Sequence, residues 1–201
     1  MEVSSSYLHL LTEDEKTRAE RLKSKIASDQ QIISRGILRL ILGRYLDMKP
    51  EDLTFTTGQF GKPFLSNPVD TSINFSLTHS SNLILFAIGK RKNIGIDVEK
   101  IEEKTDLVGI SSLVFSSDER LAFSISTNPL RDFYVLWTAK EAILKASGRG
   151  FSYPSNKFSV VLSKGLPSIS NIPTELTGGC SCNLISFSPS TGYSAALAVM
   201  Q

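Results

Sequence analysis

Two stretches carry residue types that could do chemistry together. In Asn93-Ile94-Gly95-Ile96-Asp97-Val98-Glu99 apolar and acidic residues alternate, the period of a half-buried strand. Side chains two apart share a face, so Asp97 and Glu99 stand together, opposite Ile94, Ile96 and Val98. Paired carboxylates repel unless a positive charge sits between them. From Phe133 to Lys145 the period is helical. Trp137, Glu141 and Lys145 fall at i, i+4 and i+8 on one stripe, and Glu141 precedes Lys145 in the better order for a helical ion pair. Brought together, Asp97, Glu99 and Glu141 would make a three-carboxylate site of hard oxygens. Such sites take Mg²⁺ or Mn²⁺, and Mg²⁺ is commonly shared with substrate phosphates. Lys145, one turn away, could then hold a phosphate or serve a leaving oxygen. The same spacing also describes a solvated strand face and a surface salt bridge, and spacing alone leaves both readings open.

The chemistry depends on elements that hold these side chains. The spacing predicts a long helix opened by Pro129 and closed at Gly148, since proline suits a first turn and glycine a C-cap. Ser116 and Glu119 have the spacing of a capping box, which starts a helix before it and gives Glu119 a structural role. Residues 106–115 read as a short apolar helix. Thr12 and Glu15 repeat the capping-box spacing near the N-terminus. A basic helical segment follows, with Lys16 and Arg18 on its polar face, and a second helix runs from about residue 29 to 45. Lys49-Pro50 breaks it, and residues 53–56 alternate as a strand. Gly58-Gln59-Phe60-Gly61-Lys62-Pro63 is a turn with one lysine in its middle. Residues 73–80 and 83–88 read as a strand pair, and 89–93 as a polar join. Strands are expected at 158–162, 184–187 and 193–200, the last nearly all apolar and therefore central.

The whole chain narrows the classes. It has 201 residues, 41% hydrophobic and 21% charged, ordinary for a soluble globular protein. The apolar run at 83–88 is too short to cross a bilayer. The first residues lack the features of a secretory signal. A net charge of +2 gives no reason to expect nucleic acid. Cys180 and Cys182, one residue apart, suit neither a structural zinc pair nor a disulfide framework. With two histidines, His9 and His79, in the chain, a bound metal must be held by carboxylates. These points predict a cytoplasmic protein without membrane or nucleic-acid partners.

Gly95-Ile96-Asp97-Val98-Glu99, followed by Trp137-Thr138-Ala139-Lys140-Glu141-Ala142-Ile143-Leu144-Lys145, resembles the paired signature of the Sfp-type 4′-phosphopantetheinyl transferases. That signature is G-[IV]-D-x-E and then W-[ST]-x-K-E-[AS]-x-x-K. Gly61-Lys62-Pro63 resembles the family's G-K-P block, and Ser76-Leu77-Thr78-His79-Ser80 its [ST]-H-S block. The resemblance implies an α+β fold, a pseudo-twofold tandem of two similar halves with the active site in the cleft between them. The halves would be residues 1–90, on the coenzyme A side, and 91–201, which carries the acids and docks the carrier. It implies transfer of the 4′-phosphopantetheine arm of coenzyme A to a serine of an acyl or peptidyl carrier protein, leaving adenosine 3′,5′-bisphosphate. Asp97, Glu99 and Glu141 would hold Mg²⁺ (or Mn²⁺), with Glu141 and Lys145 catalytic. Arg18, Lys62, Thr78, His79, Asp97 and Lys145 would bind the coenzyme, with Lys16 and Arg39 looser candidates. Glu119 would be a second-rank candidate near the reaction centre. Residues 102–115 would receive the carrier, and the loop at 151–154 would fold over the pocket. A chain that makes its own cleft is expected to act as a monomer. Two other classes stay open. A different Mg²⁺-dependent phosphotransferase or hydrolase would turn over without a protein acceptor. A non-catalytic module that binds carrier proteins would tolerate Glu141→Gln and Lys145→Ala.

Overall fold

The structure, a computed structural model, describes residues 3–69, 72–163 and 165–201, and of Phe151 the backbone alone. The loop expected to fold over the pocket, 151–154, is described but for the side chain of its first residue. By contact the chain forms two units. One holds the N-terminal residues to Thr56 and a short return beginning at Leu65; the other holds 57–64 and everything from Ser72 onward. Residues 72–90 thus go with the larger, C-terminal unit. Among the described residues no helix is long and apolar enough to cross a membrane.

The first unit is built on two helices, α1 (Glu13–Glu20) and α2 (Lys25–Leu46). Thr12 and Glu15 form the expected capping box. α2 starts four residues earlier than its apolar period predicts, because Ser24 supplies a cap. Arg39 of α2 is fully buried. Its guanidinium donates to Glu15 at 2.8 and 3.1 Å and to the carbonyls of Pro50 and Leu53. Buried charge is tolerated when it is paired and hydrogen-bonded in this way. Arg39 therefore holds the unit together and is spent on structure. β1 (Thr54–Thr57) and β2 (Pro63–Asn67) pair as a ribbon where the chain leaves this unit and returns to it.

The second unit is built around one helix on one sheet. β5 (Asn93–Lys100), β9 (Tyr193–Met200) and β8 (Cys182–Phe187) form an antiparallel sheet in the order β5-β9-β8. The apolar last strand is central, as its composition predicts. α5 (Pro129–Ser147) lies across this sheet, with Phe133, Leu136, Ala139 and Ile143 in a core shared with Ala196, Ala198 and Met200. Asn128 and Pro129 start the helix and Gly148, in the left-handed region at φ 73°, ends it. α5 comes exceptionally close to β5 at Gly95. A β-carbon there would collide with backbone atoms of Ala142 and Ala146. Ala198 pairs with Gly95 and Ala196 with Asp97, so the seat for the helix is made of the smallest side chains.

Around this pair stand β3 (Ile73–Ser80) and β4 (Leu83–Lys90), an antiparallel hairpin. α3 (Leu107–Val114) and α4 (Ser117–Ser124) precede α5, and the β6 (Ser159–Ser163)/β7 (Leu166–Asn171) hairpin and the single turn α6 (Thr174–Thr177) follow it. The join read at 89–93 is a tight turn from β4 into β5, with Arg91 at φ 56°. Both cysteines are free thiols.

Candidate active site

β5 and α5 deliver their polar residues to one place. Leu77, Thr78, His79, Asp97, Glu99, Trp137, Glu141 and Lys145 line a pocket of about 290 Å³. Its walls come from either side of residue 90 and belong to the second unit alone. The logic is local. Gly95, Asp97 and Glu99 share the strand face that meets α5, and the missing side chain at 95 lets the helix descend. Glu141 and Lys145, one turn apart, then reach the two strand acids.

Each carboxylate has a different environment. Asp97 is almost fully buried. Its Oδ1 accepts from Lys145 Nζ at 2.6 Å and from the Thr78 hydroxyl at 3.1 Å. Its Oδ2 is buried with no hydrogen-bond partner among the described residues. Burial pushes this carboxyl up, against the pull of Lys145 and Thr78. Glu99 is pushed up by burial and pulled back by Ser80, whose hydroxyl donates to Oε2 at 2.8 Å. Glu141 is pushed up to about 7, first by burial and then by the charges of Asp97 and Glu99.

Lys145 therefore pairs across to β5, not along its own helix with Glu141 as the spacing predicts. Asp97, almost fully buried, gains more from the ammonium than the half-buried Glu141 does. Among the described residues no three of His, Cys, Asp or Glu are gathered tightly enough to grip a metal as they stand. Three like charges repel, and Lys145 supplies the positive charge on Asp97. The donor set nonetheless fits a hard divalent cation. It is all oxygen, it is anionic, and it includes the unpartnered Asp97 Oδ2, an orphan whose desolvation calls for a partner.

The other predicted residues are placed as follows. His79 is exposed and lines the pocket. Thr78 is buried, with its hydroxyl turned to Asp97. Lys62 lines a separate pocket of about 220 Å³ with Asn74, Phe75 and Asn93. Its amine donates to the carbonyls of Ile94 and Ala146 at 2.9 and 3.3 Å, and burial brings its pKa down to about 8. Arg18 belongs to the first unit, on α1, where it pairs with Asp14 at 2.8 Å. Lys16 pairs with Glu13 at 2.7 Å. In the 102–115 region Val108 and Leu113 are exposed, while Leu107, Ile110 and Val114 pack on the core.

Glu119 is committed elsewhere. It closes the Ser116 capping box and lies 2.7 Å from the buried ammonium of Lys140 through both oxygens. It also accepts from the Val160 N–H. Lys140 donates in addition to the Phe158 carbonyl and sits over the Phe158 ring. This closed network ties α4, α5 and β6 together. Removing one member strands the other as a buried charge. Lys140→Met is therefore expected to lower unfolding stability by roughly 3–5 kcal/mol, read from the midpoint of a urea titration. Adding Glu119→Gln should restore part of that loss.

Comparison with known proteins reaches the same residues. A family model described as the 4′-phosphopantetheinyl transferase superfamily matches residues 93–198, which span β5, α5 and most of β9. The putative 4′-phosphopantetheinyl transferase slr0495 of Synechocystis is 34% identical over 148 residues, 73% of this chain and 60% of that protein. The 4′-phosphopantetheinyl transferase HetI of Nostoc is 36% identical over 145 residues, 71% of this chain and 61% of that protein. The 4′-phosphopantetheinyl transferase Sfp of Bacillus subtilis is 26% identical over 163 residues, 80% of this chain and 70% of that protein. The chain spans about three fifths of the length of the first two. Strand acids, helix Glu-Lys pair and the seat between them all fall inside the matched stretch, and the chain belongs to the 4′-phosphopantetheinyl transferase superfamily.

Proposed function

We propose that the protein transfers the 4′-phosphopantetheine arm of coenzyme A to a serine hydroxyl of an acyl or peptidyl carrier protein. The observation that carries this reading is the single pocket in which Asp97, Glu99, Glu141, Lys145 and His79 meet. The reaction is attack of the serine oxygen on the β-phosphorus of the coenzyme's diphosphate. A new P–O bond forms to serine, and the bond to the departing adenosine 3′,5′-bisphosphate breaks. Such transfers depend on positioning and charge neutralisation more than on covalent chemistry.

Asp97, Glu99 and Glu141 are the residues that would hold Mg²⁺ or Mn²⁺, which when bound neutralises diphosphate charge. Among the described residues no hydrogen bond fixes the Glu141 carboxylate, which leaves it free to take the serine proton. Lys145 faces the departing phosphate once it leaves Asp97. His79, Lys62, Thr78 and Arg18 are proposed coenzyme contacts. The exposed Val108 and Leu113 of α3 are proposed to meet the carrier. The protein is proposed to act as a monomer.

A repeated device supports the tandem arrangement of two similar halves. In each, a capping-box glutamate (Glu15, Glu119) binds a buried base (Arg39, Lys140) from the long helix that follows.

Intact-mass spectrometry of an apo carrier protein incubated with this protein, coenzyme A and Mg²⁺ tests the reading. The expected result is a gain of one phosphopantetheine arm that EDTA abolishes. Failure to modify acyl and peptidyl carriers, together with no calorimetric binding of coenzyme A, would sink it.

A further inference from the structure

β3 and β5 lie side by side in the second unit, joined through hydroxyls. Ser76, Thr78 and Ser80 share one face of β3, because they are spaced two apart. The Ile96 N–H donates to Ser76 Oγ at 3.1 Å, and the Thr78 hydroxyl donates to Asp97 Oδ1. The last rung differs. The Lys100 N–H donates to Ser80 Oγ at 3.0 Å, while the Ser80 hydroxyl donates to Glu99 Oε2 at 2.8 Å.

These two bonds fix the direction of the Ser80 proton. A backbone N–H can only donate, so Lys100 uses a lone pair of the serine oxygen. The hydroxyl has one proton, and it goes to Glu99. From the other side Trp137 shares the pocket with Glu99, and its indole N–H, a donor only, favours the ionised form of the same carboxylate. Trp137 is itself held by stacking on Phe133, at 6.0 Å between ring centres and 18° between planes. Glu99 is thus held by a strand and faced by a helix.

We propose that Ser80 and Trp137 are positioning residues for the reaction, which hold Glu99 in the one orientation that can ligate a divalent cation. The inference rests on the reading of Asp97, Glu99 and Glu141 as the cation ligands. Its physical content is preorganisation. A glutamate has three side-chain torsions to fix, and a carboxylate already held by donors loses less freedom on binding. Hydrogen bonds to ionised groups are also the stronger kind, and outer partners of this sort commonly contribute tenfold or more to metal affinity.

The test is a Mn²⁺ titration of the full chain followed by electron paramagnetic resonance of the free ion, without coenzyme or carrier. Ser80→Ala is expected to weaken Mn²⁺ binding by about tenfold or more, and Ser80→Thr, which keeps the hydroxyl, to restore it. Trp137→Phe keeps the ring and removes the donor, and should weaken binding several-fold. Should Ser80→Ala fail to fold, Trp137→Phe and Ser80→Thr still decide. Ser76→Ala is the control. It removes the same kind of cross-strand bond but touches no carboxylate, so it should lower the melting temperature and leave Mn²⁺ affinity unchanged.

Wild-type affinity in both Ser80→Ala and Trp137→Phe would overturn the positioning role while leaving the carboxylate site intact. An equal loss in Ser76→Ala would overturn it too, since strand packing would then be the cause. No Mn²⁺ binding by the wild-type protein would overturn the carboxylate reading itself.

Discussion

A Gly95→Ala protein melts well below the wild type, with roughly 3 kcal/mol or more of stability lost, and modifies no carrier even where it remains folded. The cause is a single methyl group. At most close contacts a side chain can swing away from an added carbon. At Gly95 the neighbours are backbone atoms of Ala142 and Ala146, in the last turns of a hydrogen-bonded helix, and they cannot yield separately. α5 must lift as a body. Lifting it opens the core made with Ala196, Ala198 and Ile143, all fully buried, and interiors tolerate such expansion poorly. It also draws Glu141 and Lys145 away from Asp97. Stability and transfer should therefore fall together, as read by a urea melt and by carrier mass. Alanine at 95 with unchanged melting would show that the seat is not as tight as its geometry says.

The second large effect is electrostatic. Glu141 titrates near pH 7 in the folded protein and near 4.5 when unfolded. Between those values the folded state keeps a proton that the unfolded chain has lost. This contribution to stability is therefore full below about pH 4.5 and disappears as the pH rises through 7. Burial shifts Asp97 and Glu99 in the same direction. Without added divalent ion, stability should fall by about 1–3 kcal/mol across this range. Mg²⁺ bound by the acids would favour their ionised forms, so adding it near pH 7 should release protons and flatten the profile. Glu141→Gln should then be more stable than the wild type at pH 7.5, yet slower in transfer by about 10²–10⁴. Melting temperatures at several pH values, with Mg²⁺ or with EDTA, check the sign. A stability that rose from pH 5 to 7 without Mg²⁺ would contradict the crowding of charge at this site.

The parts legible in the sequence are those set by short-range periodicity. Two-residue alternation places Asp97 and Glu99 on one strand face, and helical spacing places Trp137, Glu141 and Lys145 on one stripe. Both capping boxes, the proline start and the glycine end of α5, and the central place of the last strand all follow from local rules. The missed features are long-range. Nothing in the run Ser76-Leu77-Thr78 says which strand its hydroxyls will meet, so the bond from Thr78 to Asp97, 19 residues away, is invisible before folding. The destination of Lys145 is missed for a related reason. Helix spacing offers Glu141 as a partner, and only burial of Asp97 makes the more distant acid the better one. Arg39 and Lys140 look like surface bases by type. Their buried roles could have been suspected from the capping-box glutamates, each of which leaves an oxygen to be satisfied. β7 and α6 have no strong period and were not legible.

Lys62 behaves as a latch. Its half-buried ammonium ties the turn at 58–62 to the carbonyl of Ile94, which opens the acid-bearing strand, and to that of Ala146, at the end of the helix. Those two carbonyls bracket the place where strand and helix touch. An anion that recruits this ammonium must take it from both. Occupancy of the turn and tightness of the nearby helix end are then opposed quantities, as in a clasp that loosens when its pin is used elsewhere. Coenzyme bound through Lys62, as proposed, would act on the C-terminal end of α5 through the freed Ala146 carbonyl.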